Sequence, residues 1–131
     1  MRNLVITLAL IIGLGTAFAG DISFNFGQMK VSADKEMVHF TIRDQRFQQF
    51  NNFGSFAIHG DDIPGFIDEL EGAVQNMKDN DESSFHKHDE FTMTTTKSGK
   101  RIHFKDNIGA TNEITKKQAI KLINFLHQET K

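Results

Sequence analysis

The chain has 131 residues, of which 38% are hydrophobic and 24% are charged, and this composition is typical of a folded domain rather than a disordered chain. It contains no cysteine, which excludes a disulfide scaffold, a thiolate zinc site and a cysteine nucleophile. The formal net charge of −2 argues against a protein that mainly holds nucleic acid, because such proteins are usually basic.

The first nineteen residues carry the three parts of a secretion signal. Arg2 supplies a positive start, residues 4–14 form an apolar run, and residues 17–19 (Ala-Phe-Ala) have the form of a cleavage site. The run is shorter than the roughly 20 apolar residues that a spanning helix needs, and no later stretch is apolar enough to predict a transmembrane segment. We therefore expect residues 1–19 to be a cleaved signal peptide and residues 20–131 to be one domain, periplasmic or secreted.

Alternation of apolar and polar residues predicts three strands in the first half. The first lies within residues 21–31, the second spans residues 36–43 and the third spans residues 54–59. The second strand has the clearest period of two. Its core side is expected to carry Val38, Phe40 and Ile42.

Two helices are predicted from capping signals and apolar stripes. The first starts near Asp61, Asp62 and Pro64 and continues to Met77. Its apolar stripe consists of Ile63, Phe66, Ile67, Leu70, Val74 and Met77. The last helix starts at Thr115, because Thr115 and Gln118 have the spacing of a capping box. Its apolar stripe consists of Ala119, Leu122, Ile123 and Leu126.

Between the helices, residues 90–96 and 101–105 alternate again around a Lys-Ser-Gly-Lys turn, which predicts a β-hairpin. The predicted order is therefore β-β-β-α-β-β-α. This order favours an α+β fold in which a small antiparallel sheet of about four or five strands has both helices packed on one face.

Covering one face of such a sheet would leave the opposite face open. The polar side of the predicted strands carries His39, Thr41, Arg43, Thr92, Thr94, Arg101, His103 and Lys105. A basic, threonine-rich face suits an acidic partner protein or an anionic surface ligand, although solvent-facing strand positions are also commonly threonine or charged. Phe47 and Phe50 add apolar side chains to the loop between the second and third strands, where an exposed patch is typical of a partner site.

A second cluster follows the first helix. His86 and His88 are two residues apart on an extended segment, so both imidazoles can point at one metal ion, and Asp79 and Asp81 can complete its shell. Zinc, copper or nickel would suit such ligands. The same segment matches a calcium loop in part, but Ser84 stands where the sharp turn requires glycine. A solvated polar loop is the competing interpretation.

These patterns favour a binding protein over an enzyme, because no serine sits in a nucleophile elbow and a domain of this size has little room for a deep cleft. We expect a non-catalytic protein without a cofactor that acts through protein–protein contact, as an inhibitor, immunity or accessory factor. It would be a monomer or a homodimer and would not bind nucleic acid. The alternative is a periplasmic metal-binding protein that holds a divalent ion such as zinc or calcium in the 79–90 loop.

Overall fold

The computed structural model describes residues 20–44, 53–79, 84–95 and 101–131. The predicted signal peptide lies outside these ranges, as do Phe47, Phe50 and Asp81. Four strands followed by a helix occur twice in succession. The first set is β1 (Gly20–Phe24), β2 (Met29–Ala33), β3 (Met37–Arg43), β4 (Phe53–His59), a 3-10 turn (Gly60–Asp62) and α1 (Ile63–Asp79). The second set is β5 (Ser84–Lys87), β6 (Phe91–Thr95), β7 (Arg101–Asp106), β8 (Thr111–Thr115) and α2 (Lys116–Glu129).

Each set of strands forms its own antiparallel sheet in which sequence neighbours pair. Sheet 1 contains β1 to β4 and sheet 2 contains β5 to β8. The α+β class is therefore confirmed. The predicted single sheet and the order β-β-β-α-β-β-α are wrong, because the described residues form two sheets in the order β-β-β-β-α-β-β-β-β-α.

The strands missing from the prediction were missed for different reasons. Residues 21–31 hold most of two strands instead of one, because three successive residues from Asn25 have positive φ and turn the chain back. The inward side of β5 carries half-buried polar residues, so its sequence resembles that of a polar loop. β8 places Asn112 at a buried position, where an amide interrupts the apolar alternation.

One hydrophobic core runs through both sheets and both helices. Phe56 of β4 stacks on Phe40 of β3, with ring centroids 4.6 Å apart, and on Phe91 of β6, with centroids 4.1 Å apart. Phe66 of α1 meets Phe40 edge-on. Offset stacks and edge contacts of this kind add to the free energy gained from burial. The predicted core side of β3 is confirmed, since its three residues are all buried: Val38, Phe40 and Ile42.

Both predicted helices are confirmed, and they pack against each other. The capping box of α2 forms as predicted, because Gln118 N donates to Thr115 Oγ1 and Thr115 N donates to Gln118 Oε1. The two predicted stripes are buried apart from Val74, which is half-buried. In the described part of the chain, no helix has both the length and the apolar character needed to cross a membrane.

The two sheets meet through the last two strands of each sheet. β3 contacts β8, and β4 contacts β7, so the last two strands of each set lie against those of the other. Phe40 and Phe104 pack across this junction with ring centroids 5.2 Å apart. The junction brings the β7–β8 turn of the second set against β4 of the first, which positions the site described next.

Candidate partner-binding site

The residues of the predicted open face lie on two sheets instead of one. His39, Thr41 and Arg43 belong to β3 and alternate with buried residues on sheet 1. The other five belong to β6 and β7 of sheet 2: Thr92, Thr94, Arg101, His103 and Lys105. The predicted single face is therefore wrong, because α1 separates the two groups in the chain and a new sheet begins after it.

The outer face of sheet 2 is less basic than the sequence predicts. Glu113 of β8 lies opposite His103, and its Oε1 is 3.1 Å from His103 Nε2. Its Oε2 is 3.3 Å from Arg101 Nε. Lys105 lies in the next row of the sheet, opposite Thr92 and Thr111. The sequence prediction missed Glu113 because it did not include β8, and this carboxylate offsets part of the positive charge.

The two histidines of the predicted metal site face α1. His88 Nε2 is 2.7 Å from Glu69 Oε1, and His86 Nδ1 is 3.7 Å from Glu69 Oε2. The His88 ring also stacks on Phe91, with centroids 4.5 Å apart and an interplanar angle of 6°. Glu69 therefore joins the β5 segment to the helix, a role the sequence prediction missed because Glu69 lies on the acidic side of α1.

The described residues contain no group of three or more histidine, aspartate or glutamate side chains arranged to hold a metal ion. The structure does not describe the side chain of Asp79, and Asp81 lies outside the described ranges. The metal site predicted from Asp79, Asp81, His86 and His88 stays a prediction. The observed contacts of the two histidines are those of a link between a helix and a strand.

Two carboxylates fix the second set of elements against the edge strand β4. Glu90 Oε1 accepts a hydrogen bond of 3.0 Å from Ala57 N, a backbone group of β4. Asp106 Oδ1 accepts bonds from Ile108 N and Ala110 N, which shape the β7–β8 turn. The other Asp106 oxygen lies against Gly54, where a Cβ would collide with it. Glycine at position 54 therefore permits the close approach of this turn to sheet 1.

An open groove lies between the outer face of sheet 1 and the β7–β8 turn. Its volume is about 500 Å³. Its lining comprises His39, Thr41, Phe53, Gly54, Ser55, Glu90, Asp106, Asn107 and Ile108. Two of its apolar side chains are exposed, since Phe53 keeps 53% of its surface accessible and Ile108 keeps 80%. The groove thus combines a polar lining with two exposed apolar groups from different halves of the chain.

The β1–β2 turn places a third exposed apolar side chain at the same end of sheet 1. Phe26, at the tip of the turn, is fully exposed. Gln28, in the same turn, accepts a hydrogen bond of 2.7 Å from Arg43 N, and Arg43 pairs with Phe53. Because neighbouring strands lie about 4.8 Å apart, the turn and Phe53 are separated by roughly two strand spacings. We call the end of the molecule formed by Phe26, Phe53 and Ile108 the apolar end.

The sequence prediction found this region only in part. It assigned Phe26 to a strand and did not identify Ile108. The sequence Asn-Phe-Gly-Gln at residues 25–28 indicates a turn, since asparagine and glycine tolerate positive φ. The predicted contact residues Phe47 and Phe50 lie between β3 and β4 in sequence but outside the described residues.

No family model, curated protein or solved structure matches this chain.

Proposed function

We propose that the protein is a non-catalytic binding protein that contacts a partner protein through the apolar end. One observation carries the proposal. The described part of the chain has five exposed large apolar side chains, and three of them, Phe26, Phe53 and Ile108, lie at this end. Phe53 and Ile108 share one groove with polar side chains, and exposed apolar groups surrounded by polar ones are typical of protein-interaction surfaces.

The framework around the apolar end supports a preformed binding surface. Asp106 holds the turn that carries Ile108, and Glu90 holds the backbone of β4 beside the groove. Both carboxylates line the groove and accept hydrogen bonds from backbone N–H groups. A rigid surface loses less entropy when it binds, so more of the contact energy remains as affinity.

The outer face of sheet 1 gives the apolar end polar surroundings. Thr41 and Ser55 line the groove with hydroxyl groups, and a polar rim of this kind is typical of protein interfaces. Because residues 1–19 have the pattern of a secretion signal, we place the encounter in the periplasm or outside the cell.

The test is partner capture followed by affinity measurement. The full-length chain, tagged at its C-terminus, is expressed in the producing organism, and proteins retained at moderate salt are identified and purified. The double variant Phe53→Ser/Ile108→Ser should bind the purified partner at least about tenfold more weakly, because it removes two exposed contact groups. The matched control, Phe85→Ser/Ile120→Ser, removes the exposed phenylalanine and isoleucine that lie elsewhere and should bind like the wild type.

Two results would count against this assignment. Equal affinity of the Phe53/Ile108 variant and the wild type would remove the groove from the interface. Loss of binding in an Arg101→Glu/Lys105→Glu variant alone would instead assign the contact to the outer face of sheet 2. Circular dichroism of every variant is needed to separate lost contacts from lost folding.

A further inference from the structure

Phe26 occupies a backbone conformation that its side chain disfavours. Its φ is +58°, and its neighbours Asn25 and Gly27 have φ of +56° and +86°. The left-handed region suits glycine and tolerates asparagine, but a bulky residue there is uncommon and strained. Of these three positions, only position 26 has a residue type that the local backbone does not favour.

The side chain of Phe26 contributes no burial in return, because it is fully exposed. A phenyl ring stabilises a fold mainly through the apolar surface that it removes from water. Glycine or asparagine would fit the same turn with less strain. The folding of this chain therefore does not explain the phenylalanine.

The base of the turn is held firmly by the second half of the chain. Asn25 Nδ2 donates to Asn112 Oδ1 at 3.0 Å and to Glu113 O at 2.8 Å. Gln118 Nε2 donates to Asn25 Oδ1 at 3.2 Å, which connects the turn to the first turn of α2. Asn112 Nδ2 in turn donates to Arg43 O at 2.8 Å. Contacts to β3, β8 and α2 thus fix the position from which the ring projects.

We propose that Phe26 is a preformed anchor that inserts its ring into an apolar pocket of the partner protein. The inference rests on the proposed function and names the chemistry that the partner must provide. A fixed projecting aromatic group suits a shaped pocket, where preorganisation increases affinity. A fluid lipid surface gives no comparable advantage to a rigid orientation. Lys116 and Lys117, in the helical turn that binds Asn25, favour acidic side chains beside the pocket by charge complementarity.

The first arm of the test uses the protein alone. Phe26→Asn should raise the thermal unfolding temperature by a few degrees, because asparagine accepts the left-handed conformation more readily. Phe85→Asn is the matched control. Phe85 is also an exposed phenylalanine but lies in the ordinary strand β5, so its replacement should not raise the unfolding temperature. A fall in the unfolding temperature of Phe26→Asn would give Phe26 a structural role and overturn the proposal.

The second arm places a photoreactive benzophenone side chain at position 26 of the full-length chain in the producing organism. After irradiation, the crosslinked protein is identified, purified and titrated against the wild type, Phe26→Asn and Lys117→Glu. We expect at least a tenfold loss of affinity for Phe26→Asn, a smaller loss for Lys117→Glu and none for Phe85→Asn. The crosslinked residues on the partner should line an apolar depression.

The outcomes separate this inference from the proposed function. A partner that loses affinity with Phe53→Ser/Ile108→Ser but binds Phe26→Asn normally would overturn the anchor and leave the proposed function intact. Crosslinks from position 26 to a second copy of this chain, or to lipid only, would overturn the partner pocket. If no crosslinked protein loses affinity with Phe26→Asn, the anchor is likewise rejected.

Discussion

The two halves of the chain repeat one order of elements, yet they contribute different chemistry to the same core. β3 and β7 are the most similar strands, since Val38-His39-Phe40 in the first corresponds to Ile102-His103-Phe104 in the second. In both strands the histidine faces outward and its two neighbours are buried. The same local pattern therefore occurs in the third strand of each sheet.

The partner strands β4 and β8 differ at the corresponding position. Phe40 pairs with Phe56, whereas Phe104 pairs with Asn112. The first half therefore adds an aromatic ring to the core, and the second half buries an amide there. Asn112 uses that amide to bond to Asn25 and to the backbone of Arg43, so it joins the two sheets. At this one position, the first repeat supplies apolar packing and the second supplies a specific polar junction.

The two helices also differ in the charge that they present. α1 presents acidic groups such as Asp68 and Glu71, whereas α2 begins with Lys116 and Lys117. His127 of α2 lies 3.0 Å from Glu71 across the helix pair. Because both groups are largely exposed, this contact adds little to stability and mainly complements the packing of the two apolar stripes.

The largest effect should come from removing the aromatic group of the first half. Phe56→Ala would empty the space between Phe40 and Phe91 and should lower the free energy of unfolding by about 4 kcal/mol. Urea denaturation followed by circular dichroism measures this change. Phe53→Ala, two residues away on the exposed side of β4, is the control and should cost less than about 1 kcal/mol. A similar loss in both variants would contradict the placement of Phe56 at the centre of the core.

A smaller effect should follow from removing the polar junction of the second half. Asn112→Ala deletes the amide that bonds to Asn25 and to Arg43 O, so it should lower the free energy of unfolding by about 2 kcal/mol. Asn124→Ala, at an exposed position of α2, should change it by less than about 0.5 kcal/mol. If the Asn112 variant proved as stable as the wild type in urea denaturation, the polar junction would not contribute to the stability of the fold.

The helices and strands with a strong apolar period can be predicted from the sequence. Strands whose buried residues bond to the other half of the chain cannot. The two helices and β3 follow from apolar spacing and a capping box, which are local signals. β8 cannot be recognised in this way, because buried Asn112 is satisfied by residues far away in sequence. The division into two sheets has the same cause, since it depends on which strands meet after the chain has turned at α1.

The candidate site also depends on contacts between residues that are distant in the sequence. The sequence identifies apolar side chains between β3 and β4, but the groove requires the β7–β8 turn to pack on Gly54. The polar residues of the outer faces are individually predictable from alternation. Their grouping is not, because Glu113 and Glu69 approach Arg101, His103 and His88 only through tertiary structure.

The smallest effect concerns the connection between the halves at the β5 segment. Glu69→Gln would weaken the contacts to His86 and His88, and because all three side chains are partly exposed we expect a loss below about 1 kcal/mol. Glu71→Gln, which affects the His127 contact, is the control and should cost still less.

Thermal unfolding with and without excess zinc adds a second comparison. A helix–strand link predicts no zinc effect on the wild type, whereas a metal site would add about 2.7 kcal/mol at a hundredfold excess over its Kd. Zinc stabilisation that Glu69→Gln, His86→Ala and His88→Ala each abolish would replace the link with a metal site built from these three residues.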